Sequence, residues 1–428
     1  MSESSIYDRM PLRQSTLRKY AQAQKAAEPA PTRYDPERLR VIDGVALTAA
    51  GLVGWGNVPA ASSPVVDRTL SSTEVLLTHP VALPEAVAGS IPALIGEPAR
   101  RVHELGHALL CEALNLVEPL PAEANVDVYV STALDIREQA QALCQSLASV
   151  LRTSPRISAV RQAPAHEDIH DDSHEAIHED IHDLLAAPES GGASHVLWLS
   201  IDTLLHAQGI ASLRDRGALA SLSDLQGLKP SEASVALLFE RVQEDAEQLP
   251  AGIWLTRGKT LTYHRHELST RQQRRQHLRE LVAQGWQGGS TESLNGREDT
   301  PGKGGKDESG GGEQRDLDTG RAGAPFVVVD HLDVSGDRAV LGSVLMERWP
   351  EFELGEDCLS IDAHFGWPGQ SAIALSLVVA TVELQRRGAQ TTGALLLTLM
   401  DDNRRRTLAL RAVAEPIDVA ATSSLATA

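Results

Sequence analysis

Short apolar runs rich in valine, leucine and isoleucine alternate along this chain with stretches in which apolar residues return every three or four positions. The first pattern fits a strand buried on both faces and the second an amphipathic helix, so the alternation restricts the chain to an α/β protein with buried sheets. Strands are expected at RLRVIDGVALT (38–48), VDVYVSTA (126–133), SHVLWLSID (194–202), SVALLFERV (234–242) and PFVVVDHL (325–332). Helices are expected at 98–117, 136–153, about 209–220, 269–285, 337–349 and 369–388. Near the end, GALLLTLMDD and RRTLALRAVAE flank the polar DDNRRR, which predicts an antiparallel hairpin.

Two segments break this rhythm: the histidine and acid tract HEDIHDDSHEAIHEDIHDLL (166–185) and a glycine-rich run at 285–324. The second has the composition of a flexible insertion that loops out of a domain. The polar residues 1–39 read as a disordered tail without the apolar stretch of a secretory signal, and 416–428 as a flexible end. A formal charge of -19 argues against nucleic acid and anionic membrane as partners, because it would repel both. Cysteines stand only at 111, 144 and 358, too scattered for a disulfide framework or a cysteine-rich zinc site, which fits a reducing cytoplasm.

His103-Glu104-Leu105-Gly106-His107 satisfies the H-E-x-x-H pattern of zinc peptidases, in which two histidines one turn apart hold the metal and the glutamate polarises water. A third ligand is needed. The extended pattern fails at Leu110 and Ala113, and Glu123 falls in an expected loop. At 100° per residue Val102, Leu105, Leu109, Ala113 and Leu116 share one face with both histidines to its side, so an amphipathic helix is the competing reading. In the acid tract, His166, His170, His174, His178 and His182 recur every four residues. Neighbours in such a helix could share a metal, but a drift of about 40° per step keeps all five from one ion; a repeat expanded on a solvated surface is the alternative.

Ser200-Ile201-Asp202-Thr203-Leu204-Leu205 at the end of an expected strand, followed by Pro230-Ser231-Glu232-Ala233 entering the next, resembles the β-ketoacyl synthases. The opening VIDGVALTAAGLVGWG is similar to that family's first strand and turn, and SIDAHFGWPGQSAIALSLVVATVELQRRG to the His and Gly loop that opens its long buried helix. The resemblance spans about residues 40–415 in discontinuous pieces. It implies a thiolase-like αβαβα sandwich of two similar halves, 40–245 and 246–415, usually a homodimer. It also assigns the H-E-x-x-H segment to an ordinary helix.

Condensing enzymes of that family place a nucleophilic cysteine at the start of a helix, where low pKa favours thiolate, and two histidines that stabilise developing charge. The cysteine should fall shortly before the VLWLSID strand, yet none occurs between 145 and 357. Ser173 holds that region, but its carboxylate neighbours oppose anion formation. His331 and His364 match the two histidines approximately. The pattern after His331 departs from the family's, and the spacing from His364 to Gly366 and Gly369 is one residue short. Structural roles for both stand beside catalytic ones, with the two glycines serving a tight turn.

The resemblance therefore implies a divergent, cofactor-free ketosynthase-like protein that works as a pseudoenzyme or scaffold for an acyl thioester, an acyl carrier protein or another partner. An active acyltransferase or decarboxylase using His331 and His364 is the alternative, and a zinc peptidase the second. Relatives that look like this chain occur among bacterial type VI secretion genes, which implies a role beside that machinery.

Overall fold

The computed structural model describes residues 32–71, 75–84, 87, 97–163, 181–185, 192–220, 227–244, 246, 249–263, 265–286, 323–332, 337–388, 391–399 and 404–413. Most of the glycine-rich run, most of the histidine and acid tract, and the expected tail 416–428 lie outside these residues, as do residues 1–31 of the expected tail 1–39; its end is not a tail, because Tyr34–Leu39 are paired as the start of the first strand.

Strands β1 (Tyr34–Thr48), β5 (Val126–Thr132), β6 (Ile157–Gln162), β7 (His195–Thr203) and β8 (Glu232–Gln243) form one end of an 11-stranded sheet. Strands β9 (Gly252–Thr262), β10 (Phe326–Val329), β11 (Cys358–Ser360), β12 (Gly393–Thr398) and β13 (Arg404–Val413) form the other. The spatial order is β6-β5-β7-β8-β1 in the first group and β11-β10-β12-β13-β9 in the second. Numbered within its own group, each reads 3-2-4-5-1. The fifth strand, β8 or β13, runs antiparallel to both of its neighbours, while the second pairs in parallel with the third and fourth. The same topology occurs twice, and the two first strands join the copies where Leu39–Val41 pair antiparallel with Ile253–Leu255. A short β2 (Gly51–Val53) extends β1 as a hairpin, and β3 (Val65–Asp67) pairs with β4 (Leu76–Thr78) in a separate ribbon.

Helices α1 (Ala99–Val117) and α2 (Arg137–Leu151) cover one face of the first group, with Leu105, Leu109, Leu143 and Leu147 packed on Val126, Leu197 and Leu238. Between them in sequence and β8 come the five-residue α3 (Ile181–Leu185) and α4 (Ala207–Asp215). Helices α5 (Arg271–Gly285) and α6 (Asp337–Arg348) cover the corresponding face of the second group through Leu278, Leu281, Leu341 and Leu345. A five-residue α7 (Ile361–Phe365) precedes α8 (Ala372–Arg387), which packs on β1 and β8 from one group and β10, β12 and β13 from the other.

That double contact explains the composition of α8. A helix with sheet on both sides has no solvent face, and Ala372 and every residue from Ala374 to Leu384 are buried. Ser376 and Thr381 are tolerated there because each hydroxyl donates to the carbonyl four residues back, at 2.8 Å. Each buried Leu or Val contributes about 1.5–3 kcal/mol, so this layer is a principal source of stability. The layers are thus helix, sheet, helix, sheet, helix, as expected.

The differences from expectation are local. Strands β6 and β9 were not among the expected elements; β6 is an edge strand with a half-exposed pattern, and β9 carries charged Arg257 and Lys259 among its apolar residues. His103 does not sit beside the buried face but within it, 3% exposed, because α2 covers a second side of α1. Of the five tract histidines only His182 is described. It is buried in α3 against β1 rather than solvated, with Nε2 3.4 Å from the Leu255 carbonyl.

Candidate functional site

At the end of β11 the chain turns directly into α7, and Gly366 stops it after one and a half turns with φ +78°. A side chain at Gly366 is excluded sterically as well: a Cβ there would come 2.7 Å from Ser231 and 2.8 Å from the His79 ring. Trp367 N–H then donates to the Lys229 carbonyl, and Ser231 N–H to the Trp367 carbonyl, which clamps the loop to the start of β8. From the other side Asp362 N–H donates to the Asp330 carbonyl at the end of β10. Helix α7 is therefore fixed between the two halves of the sheet, and the site gathers around it.

His331 follows β10 and is buried, its Nδ1 3.0 Å from Asp362 Oδ2 on α7. The two atoms are close but misaligned for a hydrogen bond, and His331 Nε2 has no partner among the described residues. Asp330, beside it, accepts from the N–H groups of His331 and Leu399, which sets the strand end that carries the imidazole. Asp362 Oδ1 in turn accepts from Lys229 N–H at 3.1 Å.

His364, two residues further on α7, is only partly buried. Its Nε2 donates to the Pro59 carbonyl at 2.7 Å. A carbonyl can only accept, so Nε2 carries the proton and Nδ1 of the neutral ring is an acceptor. The His364 carbonyl accepts from Ser62 N–H at 2.9 Å; the Ser62 hydroxyl lies 3.2 Å from that carbonyl and 2.6 Å from His79 Nδ1, so its single proton goes to one or the other.

A third histidine completes the cluster. His79, 1% exposed, places Nδ1 2.6 Å from the Ser62 hydroxyl, while its Nε2 is buried without a hydrogen-bond partner. Burial pushes its pKa down to about 4, against a smaller upward pull from the Asp362 carboxylate, and Lys229 adds to the depression. The imidazole is neutral at physiological pH. Sequence reasoning named His331 and His364; Asp362 lies within the same SIDAHF stretch as His364 but was not singled out, and Ser62 and His79 come from separate segments with no motif.

Beside α7 lies an open cavity of about 340 Å³ whose lining includes Ala61, Phe326, Cys358, Ser360, His364 and Arg386. Burial pushes the Cys358 thiol up to about 12, so it is no thiolate near neutral pH. Cys144 is buried on α2 with its thiol also raised by desolvation, and Cys111 is exposed on α1.

Asp202, at the end of β7, orders the entrance to α8. Its carboxylate accepts from Gln370 N–H and Thr203 N–H, both at 2.7 Å, and Gly369 with φ +63° permits the approach because a Cβ would stand 2.3 Å from Oδ2. Desolvation nevertheless raises its pKa to about 7 against these two hydrogen bonds.

The H-E-x-x-H segment is engaged elsewhere. Glu104 pairs with Arg100 and Arg101, and His107 Nε2 lies 2.8 Å from the Ser146 hydroxyl on α2. Among the described residues no group of three potential ligands could hold a metal, and the peptidase reading finds no support. His166, His170, Ser173, His174 and His178 lie outside the described residues. No helix among the described residues is long and apolar enough to cross a membrane.

No family model and no curated protein matches the chain. Solved structures do. A type II PKS acyl-carrier protein in complex with its ketosynthase bound to the hexaketide, AntDE:AntF, matches with a TM-score of 0.53 and 12% identity over 89% of this chain and 100% of that one. The ishigamide ketosynthase/chain length factor gives 0.48 at 12% identity, covering 88% and 100%. Cerulenin-bound OleA of Xanthomonas campestris gives 0.42 at 10%, covering 87% and 98%. Identity this low speaks for fold alone, and the first match carries it together with the doubled 3-2-4-5-1 strand order. The chain has the thiolase-like αβαβα fold found in ketosynthases.

Proposed function

We propose that this ketosynthase-fold protein has lost carbon–carbon condensation and acts as a binding component that holds an acyl thioester, or the carrier protein bearing one, beside the histidine cluster. The observation that carries the reading is the placement of its cysteines. None occurs between residues 145 and 357, where the resemblance puts the nucleophile, and the one cysteine near the cluster, Cys358, is held as an inert thiol. The histidines are also committed, His364 to the Pro59 carbonyl and His331 to the neighbourhood of Asp362. Decarboxylation through that pair would require both to leave these partners.

The cavity beside α7 mixes apolar walls from Phe326, Leu354 and Leu359 with the charged Glu356, Glu383 and Arg386 and with the Ser360 hydroxyl, which is buried without a hydrogen-bond partner among the described residues. An acyl chain with a polar thioester end suits such a lining. In the solved AntDE:AntF assembly a ketosynthase is in complex with an acyl-carrier protein, and a carrier protein is the macromolecular partner proposed here. A second copy of the chain is proposed at β6, a strand of six residues that among the described residues is at the edge of the sheet and whose open side can extend it. Association with bacterial type VI secretion machinery belongs to the same proposal. The test is calorimetric titration with an acyl-coenzyme A analogue whose sulfur is replaced by methylene. Saturable binding near one ligand per chain is expected; no heat and no shift in melting temperature at saturating ligand would overturn the reading.

A further inference from the structure

Ser62 and His79 have no counterpart in the resemblance. Ser62 lies in the segment between β2 and β3, next to Ala61 of the cavity wall, and its side chain is partly exposed. Its hydroxyl stands 2.6 Å from Nδ1 of a wholly buried, neutral imidazole. Among the described residues His79 Nε2 and Asp362 Oδ2 are both buried without hydrogen-bond partners, and the charge of the Asp362 carboxylate favours proton uptake by His79. The ring is held in place by His79 N–H donating to the Pro230 carbonyl and by the Ser231 hydroxyl donating to the His79 carbonyl. A partly exposed serine beside the cavity wall, a base within hydrogen-bond distance of its hydroxyl and a carboxylate whose charge favours the protonated base are elements of an activated oxygen nucleophile.

We propose that Ser62 accepts an acyl group from a thioester, with His79 as its base. The Ser62 Oγ proton passes to His79 Nδ1 as Oγ bonds to the thioester carbonyl carbon. The carbon–sulfur bond breaks, and the leaving thiolate takes the proton from His79, giving a Ser62 ester and a free thiol. No oxidant or further reactant is required. Burial makes His79 a weak base, and a ring so buried is poorly placed to activate water. The step is therefore a slow single acylation rather than turnover. It rests on the reading that the chain binds acyl thioesters, and it adds a covalent endpoint to that binding without restoring condensation.

The test is incubation of the full chain with hexanoyl-coenzyme A, and separately with a fluorophosphonate, followed by intact mass and peptide mapping. One adduct per chain on Ser62 is expected from each reagent, with none in Ser62→Ala. Labelling of His79→Gln should slow at least tenfold while its melting temperature shows it folded. Should His79→Gln fail to fold, the wild-type labelling rate decides: it should fall as pH drops toward 4, where the ring protonates. No adduct, an adduct that survives Ser62→Ala, or a rate indifferent to His79→Gln and to pH would overturn the proposal. Binding of the methylene analogue by the wild type, measured in parallel, separates the cases: binding without acylation rejects the Ser62 role alone, and absence of both rejects the binding reading too.

Discussion

His331 Nδ1 and Asp362 Oδ2 stand 3.0 Å apart with 2% and 1% of their side chains exposed, a contact that ties the end of β10 to α7. Removing Asp362 leaves His331 buried without its neighbour and also strips Lys229 N–H of its acceptor. Asp362→Ala should destabilise the fold by about 3 kcal/mol, the low end for a broken buried pair because the two atoms are misaligned. Urea denaturation of the variant checks this; a loss under about 1 kcal/mol would mean that the contact adds little.

Asp202 predicts a pH signature. Its folded pKa of about 7 lies above the usual 3.8, so between these values the native state holds a proton that the unfolded chain has released. Its contribution is therefore most favourable below about pH 4 and declines as pH rises toward 7, by up to about 1.4 kcal/mol per pH unit. Asp202→Asn should flatten that part of the stability profile while losing the hydrogen bond from Gln370 N–H or Thr203 N–H. An unchanged slope in the variant would assign the effect to other groups.

Gly366 and Gly369 predict the cost of a single methyl group. Both have positive φ, and a Cβ would meet His79 and Ser231 in one case and Asp202 in the other. Gly366→Ala and Gly369→Ala should each lower stability by more than the roughly 1 kcal/mol expected from backbone strain alone. Thermal melts of both variants test it, and near-wild-type values would show that the loop relaxes.

The thiols should differ in reactivity. Cys111 is exposed, whereas Cys144 is buried and the Cys358 thiol is pushed up to about 12. Iodoacetamide at pH 8 should modify Cys111 first and leave Cys358 largely intact, as read by peptide mass. Rapid alkylation of Cys358 would reopen it as a nucleophile.

The H-E-x-x-H segment should hold no stoichiometric zinc. Metal analysis of chelator-washed protein is expected to give the same trace content for wild type and His103→Ala, because Glu104 is bound by two arginines and His107 lies against Ser146.

The sequence makes the alternation of strands and helices legible because buried strands and long helices leave periodic traces, whereas the layer order came from the resemblance to the β-ketoacyl synthases. The wholly buried β7 and the doubly buried α8 could be read directly, down to the hairpin of β12 and β13. Strands β6 and β9 were not, since one lies at an open edge and the other mixes charged with apolar residues, so neither burial pattern is clean. His103 shows the limit of a helical wheel, which assumes a single buried face when a helix can have two. The cluster around α7 was half legible: His331 and His364 lie near recognisable loops, but His79 and Ser62 reach them from nearly three hundred residues away along the chain through contacts that no local spacing encodes.

Loss of condensation is the central claim, and it is tested most directly by incubating the protein with acyl- and malonyl-thioesters and analysing small-molecule products and cysteine-containing peptides by mass spectrometry. The account predicts no β-ketoacyl product and no acyl group on Cys111, Cys144 or Cys358. A β-ketoacyl product that accumulates with enzyme concentration would contradict it and show that condensation proceeds without the expected cysteine.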